Sequence, residues 1–228
     1  MSTVGADGRT NGRAPRRRGR NSARRRDVVD VACRLFAERG YHGTSMRDLG
    51  NELGLLGSSV YAHIGSKDEL LIELIREGAE HFCGLADAVL DDGAAPDDQL
   101  RALVRGHVAI VADHRDRVAV YLHEHRFLPE PHRSEAGALR DRYEAAYRAV
   151  LRRGANDGSF RADLDVDLDS RFILSTLNAL DRWYDPDGPL DVDALAAALD
   201  RFVARGIGAP APAAVTGAGS TREGSPAR

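Results

Sequence analysis

The chain is poor in what staples or anchors a protein by simple means. Its two cysteines, Cys33 and Cys83, show neither a disulfide framework nor the paired spacing of a zinc site. No 18-residue apolar run is present, so a membrane span is not expected. The arginine-rich start lacks the uncharged stretch of an export signal, because Asp27, Asp30, Arg34 and Glu38 interrupt it, and cytoplasmic residence is expected. Lysine is almost missing: Lys67 is the only one, against 31 arginines. β-Branched alternation of strand length and internal repeats are also lacking, which leaves an all-α chain.

Catalytic signatures are missing too. There is no nucleophile elbow, phosphate loop or Cys–His pairing. His107 and His114 share a helical face but not an i,i+4 spacing, and His123 and His125 point their rings apart around Glu124. Asp163, Asp165, Asp167 and Asp169 resemble a calcium loop, yet the required glycine and glutamate positions hold Leu168 and Leu174. An enzyme is not expected, and no cofactor or metal is implied.

What is there is a charge asymmetry and a helical pattern. The net charge is −3, but residues 1–26 hold nine arginines against one aspartate. That is a surplus of eight positive charges on an otherwise acidic chain, suited to drawing one end toward a polyanion. The composition of residues 1–20 and 208–228 predicts a disordered basic arm and a disordered tail. A helix is expected from about Ser22 to Arg39, closed by Gly40. A second is capped by Thr44 or Ser45, and a longer one starts at Ser66 with Glu69 completing a capping box. Turn clusters divide the remainder into helices at about 97–113, 115–127, 133–157, 166–184 and 191–206. The expected architecture is a head at 21–65 and a helical body at 66–207.

Between Thr44 and His63 lie two short helical segments joined by a tight, glycine-bounded turn, the form of a helix-turn-helix. An element entering the major groove needs a narrow leading face, which Gly57, Ser58 and Ser59 supply. Tyr61 and His63 follow at a spacing suited to phosphates on the groove wall. Lys67, beside the free N–H groups of the next helix, is expected to clamp a phosphate, with Thr44, Ser45 and Arg47 as further backbone contacts. Arg16–Arg18 and Arg24–Arg26 are placed to follow phosphates or enter a minor groove.

Ala32 to Leu71 resembles the DNA-binding domain of TetR-type regulators. The resemblance rests on Leu35-Phe36, Gly40-Tyr41, Thr44-Ser45, Gly54, Tyr61-Ala62-His63-Ile64 and Ser66-Lys67-Asp68-Glu69-Leu70. Leu55-Leu56-Gly57 stands where that family usually carries polar residues. The resemblance implies a homodimeric repressor on a palindromic operator, with double-stranded DNA contacted by Thr44, Ser45, Arg47, Ser59, Tyr61, His63 and Lys67. It also implies an effector pocket in the body and a dimer built on the last two helices, through Phe172, Ile173, Leu180, Trp183, Leu199 and Phe202.

The body carries Glu124, Leu128, Arg142-Tyr143, Asn178 and Trp183-Tyr184-x-Pro186-x-Gly188. This resembles the branch controlling fatty-acid, phenylacetate and steroid degradation, whose effectors are often acyl-CoA thioesters. An acyl slot from Leu103, His107, Val111, Val120, Tyr121, Tyr147 and Phe172, with Asn178 beside it, is expected, and Arg126 and Arg142 are candidates for the phosphates. The alternative is a regulator of an efflux or antibiotic-resistance gene answering a drug-like hydrophobic ligand.

Overall fold

The computed structural model describes residues 15–56 and 60–208, with side chains from Arg25 onward. Helix α1 (Pro15–Arg39) is followed by α2 (Met46–Glu52), and a short helical turn includes Val60 and Tyr61. The body comprises α3 (Lys67–Asp91), α4 (Pro96–Asp113), α5 (Arg115–Glu124) with a 3₁₀ turn (His125–Phe127), and α6 (His132–Asp157). It continues with α7 (Val166–Asn178), α8 (Leu180–Trp183) and α9 (Val192–Ile207). Among the described residues there is no strand, only a single antiparallel bridge between Phe160 and Gly208. The all-α expectation is met.

Local chemistry explains most boundaries. Gly40, at φ 76°, takes the left-handed conformation that ends α1. Ser45 caps α2 reciprocally: its hydroxyl accepts the Asp48 N–H, and its own N–H donates to the Asp48 carboxylate at 2.8 Å. Ser66, Asp165 and Asp191 cap α3, α7 and α9 one-sidedly, each accepting a single N–H. The capping box expected at Ser66 does not close, because the Glu69 carboxylate accepts the Gly65 N–H instead. Three expectations are corrected. Helix α1 begins at Pro15 rather than near Ser22, as a proline at the first turn and a run of helix-favouring arginines allow. The 115–127 helix tightens into 3₁₀ after Glu124. The 166–184 helix breaks at Ala179 into α7 and α8. The expected arm before Pro15 and the tail after Gly208 lie outside the described residues.

Helix α3 is the hub, packed against α1, α4, α5 and α6. Its Leu70, Leu71, Leu74, Ile75 and Phe82 are all but inaccessible, and they join the head's core (Val28, Leu35, Phe36, Leu49) to the body's (Leu103, Val120, Tyr147, Leu151). A Cβ at Gly78 would meet the Tyr121 side chain at 2.8 Å, so this glycine sets how closely α3 and α5 approach. Head and body therefore share one hydrophobic core.

Candidate nucleic-acid interface and effector core

The helix-turn-helix presents Ser45, Arg47 and Tyr61 to solvent, with Tyr61 53% exposed. His63 is half-buried, and its Nδ1 has no hydrogen-bond partner among the described residues. Gly57, Ser58 and Ser59, the expected leading face, lie outside the described residues. Two expected contacts are differently employed. Thr44 is buried, and its hydroxyl lies 3.2 Å from both the Leu35 and Gly40 carbonyl oxygens, so it satisfies the end of α1 rather than facing DNA. Lys67 is half-buried with its Nζ 4.0 Å above the Tyr41 ring, and it donates to the carbonyls of Tyr41 (2.9 Å) and Thr44 (3.0 Å). Two of its three N–H groups thus hold the turn after α1, leaving one for a phosphate. Ser45 is exposed, but its hydroxyl and N–H are engaged in the α2 cap. Of the arginines expected to follow phosphates, Arg25 is held by Glu73 on α3.

The junction between head and body was not legible as a site. Glu124, at the end of α5 and 8% exposed, accepts the Tyr41 backbone N–H at 2.9 Å. Phe127 stacks on Tyr41 (centroids 6.0 Å) and meets His42 edge-on at 4.4 Å. The Tyr41 hydroxyl donates to Asp68 on α3, and burial together with that bond raises the pKa of the phenol. Arg117 on α5 binds Asp30 on α1 (2.8 Å) and also Glu77 on α3. The turn after α1 is thereby held from α3 and α5 together.

In the body, Leu103, Val111, Val120, Tyr121 and Tyr147 are buried in the shared core, and His107 is fully buried as well. His107 Nδ1 lies 3.1 Å from the Tyr143 hydroxyl, Tyr143 lies 3.2 Å from the Tyr147 hydroxyl, and Tyr147 donates to the Leu103 carbonyl at 3.2 Å. Full burial pushes the His107 pKa down to about 3, so the ring is neutral at physiological pH. Phe82 packs on both His107 and Tyr143. Tyr143 is a functional candidate that the slot prediction missed, although its i,i+4 spacing from Tyr147 puts both on one face of α6. Phe172 does not belong to this core: it is 60% exposed on the outer side of α7, so its place in the slot is corrected. Asn178 is half-buried at the end of α7.

A separate groove of about 520 Å³ runs between α3 and α6, lined by Ile72, Ile75, Leu128, Leu139, Arg76 and Arg142 among others. Arg142 is tied to Asp87 at 2.7 Å, while Arg126 is exposed above the Phe127 ring. A wider, apolar surface lies between α7 and α9, with Phe172 and Phe202 at 60% and 65% exposure. No helix among the described residues is long and apolar enough to cross a membrane.

Helix α2 with exposed Ser45, Arg47 and Tyr61 around it, locked to a larger helical body, is the architecture of a DNA-binding transcriptional regulator. Residues 28–74 match the bacterial regulatory proteins of the tetR family, and residues 93–207 match the tetracyclin repressor-like C-terminal domain. The chain belongs to the TetR family. It is 35% identical over 191 residues to the HTH-type transcriptional repressor KstR2 of Rhodococcus jostii strain RHA1, covering 83% of this chain and 93% of that protein. The structure of the ketosteroid transcriptional regulator KstR2 of Mycobacterium tuberculosis superposes with a TM-score of 0.78 at 32% identity, over 82% of this chain and 96% of that one. The crystal structure of AibR in complex with isovaleryl coenzyme A and operator DNA gives a TM-score of 0.70 at 27% identity, over 80% and 97%.

Proposed function

We propose that the protein is a homodimeric repressor that binds a two-fold operator and leaves it when an acyl-CoA thioester occupies the body. The observation that carries the regulated part of this reading is the Glu124–Tyr41 bond. It fastens the body's α5 to the backbone of the turn that orients the helix-turn-helix. An acyl group entering beside Tyr121 and His107 displaces α5, and α5 carries the turn with it. A shift of a few ångströms in one recognition element forfeits the phosphate and base contacts of its half-site together, so a modest displacement switches binding.

We assign DNA contact to Arg47, Gly57, Ser58, Ser59, Tyr61 and His63, with Ser45 and the third N–H of Lys67 at the phosphates. The head spans 21–65 and the body 66–207. Pairing through α7 and α9 accounts for the exposure of Phe172 and Phe202, and it would set the recognition elements about 34–36 Å apart on a pseudo-palindrome. The acyl-CoA reading is supported by the AibR structure, which holds isovaleryl coenzyme A, and by the α3–α6 groove with Arg76 and Arg142 beside it. The test is anisotropy binding of the full chain to DNA from upstream of its own gene, titrated with acyl-CoA thioesters. Release by one thioester is expected. Tight binding indifferent to every thioester would overturn the effector class.

A further inference from the structure

The buried chain His107–Tyr143–Tyr147–Leu103 has a direction, and that direction fixes what its open end accepts. The Leu103 carbonyl can only accept, so the Tyr147 hydroxyl donates to it. Tyr147 has no second proton, so its oxygen accepts from Tyr143, and Tyr143, its proton now committed, accepts from His107 Nδ1–H. A neutral imidazole carries one ring proton, and here it sits on Nδ1. Nε2 is therefore a lone pair. It is fully buried and has no hydrogen-bond partner among the described residues. Such an orphan in a well-packed core calls for an explanation, because buried polar atoms are nearly always paired. Phe82 against the ring supplies only apolar surface.

We infer that His107 Nε2 is a specificity atom of the effector core, accepting a hydrogen bond from a hydroxyl or amide N–H on the apolar part of the ligand. This rests on the reading that the body binds an effector there. A ketone or thioester carbonyl, itself only an acceptor, would face this lone pair without a bond. The effector class is thereby narrowed from acyl thioesters at large to those bearing a donor on the acyl or ring portion. A site built around such a bond disfavours the analogue lacking the donor.

The test has two arms, both on the full chain. In the first, two-bond ¹⁵N spectra of the histidine-labelled protein assign the His107 tautomer, with His107→Leu identifying the signal. A protonated Nδ1 is expected, and a protonated Nε2 overturns the inference. In the second, operator release is titrated with octanoyl-CoA and with its 3-hydroxy and 8-hydroxy forms. One hydroxylated form should act at a concentration roughly tenfold lower or less, from the usual cost of an unpaired buried group. His107→Leu should erase that preference while Leu90→Ala, at an exposed position near the end of α3, keeps it. If His107→Leu does not fold, Tyr143→Phe serves, since without the Tyr143 oxygen the ring proton is free to move to Nε2 and the preference falls. Equal potency of all three thioesters overturns the inference. If no thioester acts, the acyl-CoA reading fails by itself, and the comparison passes to the free octanoate and hydroxyoctanoates, where equal response or none overturns the donor requirement.

Discussion

Replacing Glu124 by alanine tests the mechanical link between body and head. The Glu124 carboxylate lies at the C-terminal end of α5 and receives a N–H just past the C-terminal end of α1. Both helix ends carry partial negative charge, so the macrodipoles disfavour an anion at this place. The hydrogen bond to Tyr41 N–H, 2.9 Å long and buried, is what holds it there. Alanine leaves that N–H without an acceptor, and losing a bond to a charged group costs about 1.5–3 kcal/mol. Glutamine keeps a carbonyl oxygen for the N–H and removes the charge from the helix ends, so it should stay within about 1 kcal/mol of the parent protein. Urea unfolding at fixed protomer concentration measures both. Operator anisotropy should then show the glutamine protein responding to effector and the alanine protein responding less. An alanine variant as stable as the parent, or one with an undiminished effector response, would refute this reasoning.

Lys67→Ala should destabilise the protein by about 1–2 kcal/mol in urea, because it strips the Tyr41 and Thr44 carbonyls of their donor and removes the cation from the Tyr41 ring. An unchanged unfolding midpoint would show that these contacts contribute nothing. His107, neutral when folded because its pKa is held near 3 against 6.5 when unfolded, gives stability that is present above pH 6.5 and lost as the pH falls. Between pH 7.5 and pH 5 the loss traceable to this residue is about 2 kcal/mol, and unfolding of His107→Leu over the same range should be flatter by that amount. Phe172→Glu together with Phe202→Glu should weaken self-association by about 3 kcal/mol, more than a hundredfold in the dissociation constant. Sedimentation velocity would read this, and an unchanged species would remove the α7–α9 face from the assembly.

The sequence was most informative where structure is made by near neighbours. Ser45 with Asp48, Ser66 with Glu69, and Gly40 mark ends that follow from hydrogen bonds three or four residues away. The start of α1 was missed because an arginine-rich segment looks alike whether it is helical or unstructured. The break at Ala179 was missed because apolar periodicity runs straight across it. In the site, the buried cluster of Leu103, His107 and Tyr147 follows from helical faces, whereas Phe172 was misplaced because periodicity cannot separate a core face from an exposed apolar one. The engagement of Thr44 and Lys67 within the protein, and the reach of Glu124 to a residue 83 positions earlier, depend on how helices pack, which no local pattern encodes.

The head end of the Glu124 link is a main-chain N–H, and that has an evolutionary consequence. Every amino acid except proline supplies that donor at position 41, so the Glu124 bond itself survives a change of the Tyr41 side chain, although the ring's own ties to Asp68, Phe127 and Lys67 are then lost. What must persist is the left-handed glycine before it, which aims the N–H, and a carboxylate or amide at the end of α5. On the proposed mechanism, recognition modules of different DNA preference are in this sense interchangeable on one sensing body. A chimera that preserves Gly40 and Glu124 inherits the wiring along with the fold.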